Sequence, residues 1–395
     1  MPPYSEYLNR GFNNPDELAN ERKVQLARIS ARRGRDVLVI AANVENSKAP
    51  VALSPQDLLS VADQLDQLPG NPGIDIILET PGGSGEAAED IVKLLRGKYQ
   101  SVAIIVPGTA KSAGTIMAMA GDEILLDPVS CLGPIDAQIF WQGKVFSADA
   151  LLRGFEKIKK EVDDKKALNR AYVPMLQAIS PGELQHAENA LDFAKELVRD
   201  WLATYKFQNW NVHSSDGRPV TAEDKRARAA QIASELCDHS RWKTHARSIK
   251  LDDLVAMRLQ VTDLRDDPEL HDAVRRYYVL LKMTFETNIF KLFETPTSQI
   301  LRFEQVQGVV APPQNAAMAE FDVTCGACKA VMKVQANFVP DVALKPGNIP
   351  FPADNKLQCP QCKVVHDVSA LRRQVEAQIK MRVLTPQGGP GAATV

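Results

Sequence analysis

Residues Ile74–Ile135 read IDIILETPGGSGEAAEDIVKLLRGKYQSVAIIVPGTAKSAGTIMAMAGDEILLDPVSCLGPI, and this stretch decides the fold. Three short β-branched runs stand out: Ile74–Leu78, Val102–Val106 and Glu123–Leu126. Two helical patterns separate them, Gly85–Arg96 and Ser112–Ala120. Strands alternating with single helices predict βαβ units and a mostly parallel sheet, an α/β class. The chemistry lies at the two strand-to-helix junctions, Thr80-Pro-Gly-Gly-Ser84 and Ala110-Lys-Ser-Ala-Gly114. At the first, Gly82 and Gly83 let the backbone turn sharply and leave its N–H groups unshielded. At the second, Ser112 falls at the start of a helix, where the dipole and the Ala113 N–H favour negative charge. Ser112 is a candidate nucleophile, with Ala113 and Gly82 or Gly83 as oxyanion donors. The plainer alternative makes Ser112 an N-cap and the glycines a turn.

Three blocks, ETPGG, AKSAGTIMAMAGDEI and LGPIDAQI, resemble the Clp-protease/crotonase superfamily. Within it the chain resembles the signal-peptide-peptidase-A-like serine proteases, in particular the serine dehydrogenase proteinase family. The resemblance covers roughly residues 35–265 and implies a spiral of ββα units. It implies Ser112 as nucleophile and Gly82, Gly83 and Ala113 as oxyanion-hole positions. It also implies a Ser–Lys dyad, and Lys165 and Lys166 fall near the place of the dyad lysine. A base of that kind needs burial and a depressed pKa. His245 competes as base. Its segment, RWKTHARSI from Arg241, resembles the family's W-T-H block, and Asp252 or Asp253 would complete a Ser–His–carboxylate set. Asp136 and Gln138 are read as polar walls of the groove, without a mechanism.

The 395 residues exceed one ordinary domain, and 45% hydrophobic and 24% charged content is that of a soluble globular chain. A net charge of −2 argues against broad nucleic-acid or membrane binding. No apolar run approaches the ~20 residues of a membrane span. The start, MPPYSEYLNR, has no apolar core, so no signal peptide is expected, and a cytoplasmic location follows by default. The basic cluster Arg28, Arg32, Arg33 and Arg35 reads as a solvated helix face. Residues 1–20 read as a loose arm, and Pro268–Glu294 as one long amphipathic helix. The expected organisation is an arm and helix (1–35), a protease domain (36–265), an amphipathic helix (266–300), a zinc-ribbon module (311–370) and a tail (371–395).

Four of the six cysteines form two C-x-x-C pairs, Cys325/Cys328 and Cys359/Cys362. Two such turns supply four thiolates to a tetrahedral Zn²⁺, and apolar alternation after each pair resembles a zinc ribbon. A closed four-thiolate site is structural and folds a module too small for its own core.

The function expected is a serine endopeptidase acting on protein or peptide substrates, self-associating as related proteins do. The alternative is a catalytically inactive scaffold that docks partners through the ribbon. Crotonase-type acyl-CoA chemistry is a third reading, disfavoured by the serine in AKSAGT.

Overall fold

The computed structural model describes residues 2–12, 14–141, 144–213, 216–304, 317–379 and 382–384, which form two compact units, 1–302 and 303–395. Of the tail expected over 371–395, residues 371–379 instead belong to the helix Ser369–Ile379, whose Leu371 and Val375 are buried in the second unit's core; residues 385–395 and the linker around 311–316 lie outside the described residues.

The first unit begins with α1 (Pro3–Arg10) and α2 (Pro15–Arg33), followed by β1 (Asp36–Ala42), α3 (Asp57–Asp66), β2 (Gly73–Glu79) and α4 (Gly85–Lys98). Then come β3 (Ser101–Val106), β4 (Thr109–Ala110), α5 (Ala113–Met119), β5 (Glu123–Leu126) and β6 (Cys131–Leu132). A hairpin, β7 (Gln138–Trp141) and β8 (Lys144–Ser147), leads into α6 (Ala148–Lys165), α7 (Val173–Gln177) and α8 (Pro181–Trp201). After these stand α9 (Ala222–Leu236), α10 (His239–Trp242), α11 (Leu251–Ala256), β9 (Thr262–Asp263), α12 (Pro268–Phe285), β10 (Ile289–Glu294) and β11 (Gln299–Phe303).

The main sheet has the order β11-β10-β1-β2-β3-β5-β9, and β1, β2, β3, β5 and β9 run parallel. The β-branched runs fix this, because both faces of a parallel sheet are covered. Leu38, Ile40, Ile76, Leu78, Ile104 and Ile124 pack into the main core, while the alternate residues Val37, Val39, Ile77 and Ile105 are buried on the other face. Each such side chain contributes about 1.5–3 kcal/mol by leaving water. A second, smaller layer follows the main strands. Leu53 bridges Gly83, Thr80 bridges Ala110, β4 pairs with β6, and Leu132 bridges Ile249. Main strand, short strand and helix thus repeat, which is the ββα spiral expected.

Two sequence expectations are corrected. Residues 1–20 are not a loose arm: they carry α1 and the start of α2, and buried Tyr7 packs beside Val279 and Leu280 of α12. The helix expected to run to Glu294 stops at Phe285, and β10 pairs antiparallel with β1. The polar members of β10 have buried partners there. Lys291 meets Asp57 at 2.9 Å, and Glu294 meets Arg22 at 3.0 Å. The basic cluster is fully paired: Arg28 with Asp272, Arg32 with Asp267, Arg33 with Asp75 and Glu123, and Arg35 with Asp75. Among the described residues no helix is long and apolar enough to cross a membrane.

In the second unit β12 (Met318–Thr324) and β13 (Val331–Asn337) form an antiparallel pair, with β14 (Ile349–Pro350) parallel to β13. A second pair, β15 (Lys356–Gln358) and β16 (Val365–Asp367), precedes α13 (Ser369–Ile379). The unit is not without a core. Phe321, Val334, Phe338, Phe351, Leu357 and Val375 cluster in it, almost wholly buried.

Candidate active site and cysteine cluster

Ser112 sits at the N-cap position of α5, but it does not cap the helix. Its φ is 52° and ψ −116°, and its hydroxyl makes no capping hydrogen bond. A residue with a Cβ is strained in that region, at a cost of about 1–3 kcal/mol. The surrounding packing enforces it. The helix that follows is buried along its whole length, from Ala113 to Met119. Gly114 lies so close to Thr80 that an added Cβ would meet Thr80 Cγ2 at 2.5 Å. Ser112 itself is half-buried, so the hydroxyl remains accessible.

The glycine turn lies directly against it. A Cβ on Gly82 would come within 2.6 Å of Ser112 Cβ and 3.3 Å of Ala113 N. Both glycines have positive φ, 106° at Gly82 and 145° at Gly83, where other residues are strained. The Gly82 N–H donates to Thr80 Oγ1 at 3.1 Å and is therefore taken. Gly83 is held on one side by Leu53, whose N–H donates to Gly82 O at 2.7 Å and whose carbonyl accepts from Ser84 N at 3.0 Å. The N–H groups of Gly83 and Ala113 have no hydrogen-bond partner among the described residues. The Ala113 N–H follows Ser112 directly, and the Gly83 N–H belongs to the turn packed against it, so these are the two candidate donors for a developing oxyanion.

The lysines singled out from the sequence do not have the environment of a base. Lys165 ends α6, its side chain 68% exposed, and pairs with Glu161 at 2.7 Å. The hydrogen bond and charge of Glu161 raise its pKa, opposite to the depression a neutral amine needs. Lys166 is exposed in a left-handed C-cap. Both are therefore corrected as base candidates: a solvated helix end leaves the ammonium hydrated.

His245 has a different setting. Lys111, the residue before Ser112, donates from Nζ to Ala246 O at 2.7 Å. Ile249 and Leu132 exchange backbone hydrogen bonds at 2.9 and 3.0 Å, so the His245 segment lies along the wall that follows Ser112. His245 Nδ1 is buried and lies 3.9 Å from Asp136 Oδ2 without a hydrogen bond. Burial pushes the His245 pKa down, Lys111 and His239 push the same way, and Asp136 opposes them. The imidazole is thereby biased to the neutral form that can accept a proton. Asp252 is exposed, and Asp253 accepts the Lys250 N–H at 2.9 Å as the cap of α11, so neither serves His245. The carboxylate near it is Asp136, which sequence reasoning left without a mechanism. Its signal was a carboxylate inside the apolar LGPID block, and the histidines near it come from about a hundred residues further along the chain.

In the second unit Cys325, Cys328, Cys359 and Cys362 gather with all four sulfurs within 4.8 Å of one another. Cys325 Sγ lies 3.5 Å from Cys362 Sγ, and Cys328 Sγ 3.7 Å from Cys359 Sγ. Four thiolates bound at about 2.3 Å around one tetrahedral ion stand about 3.8 Å apart, so the set fits Zn²⁺. Backbone N–H groups of Cys328 and Ala327 point at Cys325 and, with His366 and Cys362, bring its thiol down to about 5. His366 Nε2 is 3.2 Å from Cys325 Sγ, placed to support that ligand rather than to be one.

Residues 18–179 match the family described as ClpP-like SDH-type serine proteinase. Two uncharacterized proteins of Methanocaldococcus jannaschii are similar. MJ0137 is 29% identical over 161 residues, 40% of this chain and 52% of its own length. MJ1495 is 36% identical over 140 residues, 33% of this chain and 47% of its own length. The chain thus spans about half the length of the curated relatives it matches. Among solved structures, a mutant of the 1510-N membrane-bound stomatin-specific protease aligns at TM-score 0.33 and 16% identity, covering 56% of this chain and 79% of that one. A mutant of ClpP1 from Listeria monocytogenes aligns at TM-score 0.31 and 11% identity, covering 61% of this chain and 99% of that one.

Proposed function

We propose that this chain is a serine endopeptidase that forms an acyl-enzyme on Ser112, with His245 as general base and a structural Zn²⁺ on Cys325, Cys328, Cys359 and Cys362. The observation that carries the reading is Ser112 at φ 52°, a strained serine whose hydroxyl does not cap its own helix. Strain of this kind persists where the surroundings over-determine it, and it accumulates at reactive residues. The match of residues 18–179 to a serine proteinase family supports the same reading.

In the mechanism the Ser112 hydroxyl attacks a peptide carbonyl while its proton passes to neutral His245. The tetrahedral oxygen is held by the N–H groups of Gly83 and Ala113. Collapse breaks the C–N bond, and the imidazolium returns its proton to the departing amine. Water then repeats the sequence on the ester and releases the acid. The cysteine set leaves no open position and contributes folding, not a step in hydrolysis.

A fluorophosphonate probe tests this. It should label the wild-type chain once, at Ser112, and label neither Ser112→Ala nor, at a comparable rate, His245→Gln. Undiminished labelling of Ser112→Ala refutes the assignment. A wild-type chain that never labels would leave the docking scaffold as the better reading.

A further inference from the structure

Leu53 lies in the connection between β1 and α3, outside both elements, yet it holds the glycine turn. It bridges Gly83, its N–H donates to Gly82 O, and its carbonyl accepts the Ser84 N–H. Gly83 is packed so flat against it that an added Cβ would come within 2.5 Å of Leu53 N. The direction of the Gly83 N–H therefore depends on where Leu53 stands.

A buried ion pair determines that. Lys291 of β10 and Asp57 of α3 are 4% and 3% exposed. Lys291 Nζ donates to Asp57 Oδ1 at 3.0 Å, to Asp57 Oδ2 at 2.9 Å and to Ala52 O at 2.8 Å. An ammonium has three donors, so all of them are used. Asp57 Oδ2 also accepts the Ser54 N–H at 3.0 Å. The residue before Leu53 is thus held by Lys291, and the residue after it by Asp57. Lys291 is itself fixed in the main sheet, opposite Ala42 of β1. A buried ion pair adds little net stability, because desolvation offsets the attraction, and apolar side chains of similar volume often serve a core as well. What apolar side chains cannot supply is direction: hydrogen bonds aimed at one carbonyl and one N–H on either side of Leu53.

We propose that Lys291 is a positioning residue of the Ser112 site: with Asp57 it brackets Leu53, and Leu53 sets the Gly83 N–H against the serine. The inference rests on the reading of Gly83 as an oxyanion donor. Lys291 acts only through Leu53. Without the bracket, Leu53 is tethered through the ends of β1 and α3, and the turn loses its hold on that side. The Gly83 N–H then drifts relative to the Ala113 N–H, and a tetrahedral oxygen keeps one well-placed donor of two.

The decisive variant is the double substitution Lys291→Met with Asp57→Leu in the full chain, which removes the bracket and leaves no buried charge behind. Lys291→Met alone, which keeps the Ser54 N–H bonded to Asp57, is the second variant and is read in the same way. Three quantities are measured: the urea midpoint, the rate of fluorophosphonate labelling, and hydrogen exchange by mass spectrometry over residues 51–55 and 82–86. The expected result is a urea midpoint at or above that of wild type in the double variant, exchange about tenfold faster in those two segments but unchanged in β2 and β3, and labelling slower by about a hundredfold. A purely structural pair would lower the midpoint and leave the labelling of the folded fraction intact, and that outcome overturns the proposal. Labelling at the wild-type rate despite faster exchange overturns it as well. Unchanged exchange in both segments overturns it whether or not Ser112 reacts. Faster exchange confined to them, in a chain whose wild type never labels, would uphold the bracket and refute the peptidase reading alone.

Discussion

Replacing Glu79 by Gln should change how the stability of this protein depends on pH. Glu79 ends β2 and is 1% exposed. Its Oε2 accepts the Thr109 N–H at 2.7 Å, and the Tyr278 hydroxyl of α12 reaches Oε1 at 3.4 Å. Burial pushes its pKa from 4.5 to about 7, against the opposing pull of the Thr109 N–H, of Lys282 and of Tyr278. The folded state therefore binds this proton more tightly than the unfolded chain. The stabilisation is complete below the unfolded value of 4.5 and is lost as pH rises through about 7. A shift of roughly 2.5 units at 1.36 kcal/mol each gives about 3 kcal/mol over that window. Glu79→Gln holds the neutral form at every pH. Urea unfolding of both proteins at pH 5 and pH 8 measures the difference, and other titrating groups cancel in the comparison. Relative to the variant, wild type should lose about 3 kcal/mol between the two pH values. Parallel behaviour within about 0.5 kcal/mol would refute the reasoning. Thr109 lies three residues before Ser112, so this carboxyl also bears on the strand that leads to Ser112.

Other substitutions follow from the same geometry. Gly82→Ala should cut fluorophosphonate labelling about a hundredfold, because the new Cβ lands 2.6 Å from Ser112 Cβ on a backbone with φ of 106°. Lys165→Ala and Lys166→Ala should label at the wild-type rate; a large loss in either would restore the lysine dyad. The purified protein should contain zinc by elemental mass spectrometry. Stripping the metal should expose β12–β16 to rapid hydrogen exchange while β1, β2 and β3 stay protected. Glu294→Gln, which leaves Arg22 uncompensated in the interior, should cost about 3–5 kcal/mol in urea unfolding.

The parts of the fold legible in the sequence are those whose cause is local. The runs in β1, β2, β3 and β5 are mostly apolar, with Asp75 inside β2 paired to Arg33 and Arg35, because both faces of the sheet are covered, and Pro81 and Pro107 mark where strands end. The C-x-x-C pairs carry their geometry in their spacing. β10 was not legible. IFKLFE suits a helix stripe or a strand, and only Asp57 and Arg22, both far along the chain, turn Lys291 and Glu294 into buried strand residues. The glycine turn was half legible. Two glycines announce the turn, but which N–H is free depends on Thr80 Oγ1 binding that of Gly82. The surroundings of the base candidates were not legible for a related reason. A lysine at the right distance along the chain gives no information on burial, whereas His245 gains its environment from Lys111 and Asp136, held together by the Leu132–Ile249 bridge.

That bridge belongs to the short second layer, and the layer explains why the strained serine can persist. Leu53 grips the glycine turn, and Thr80 N donates to Thr109 O while Lys111 N donates to Thr80 O, on either side of the Thr80–Ala110 bridge. Leu132 then holds Ile249. Ser112 therefore lies between a strand clamped on both sides and a helix buried along its length. To relax its φ, either the Ala110 strand must break two hydrogen bonds of about 1 kcal/mol each or α5 must pull apolar side chains such as Met117 and Ile116 from the core. Both costs match or exceed the strain of about 1–3 kcal/mol. The distortion at Ser112 is consequently stable without any ligand.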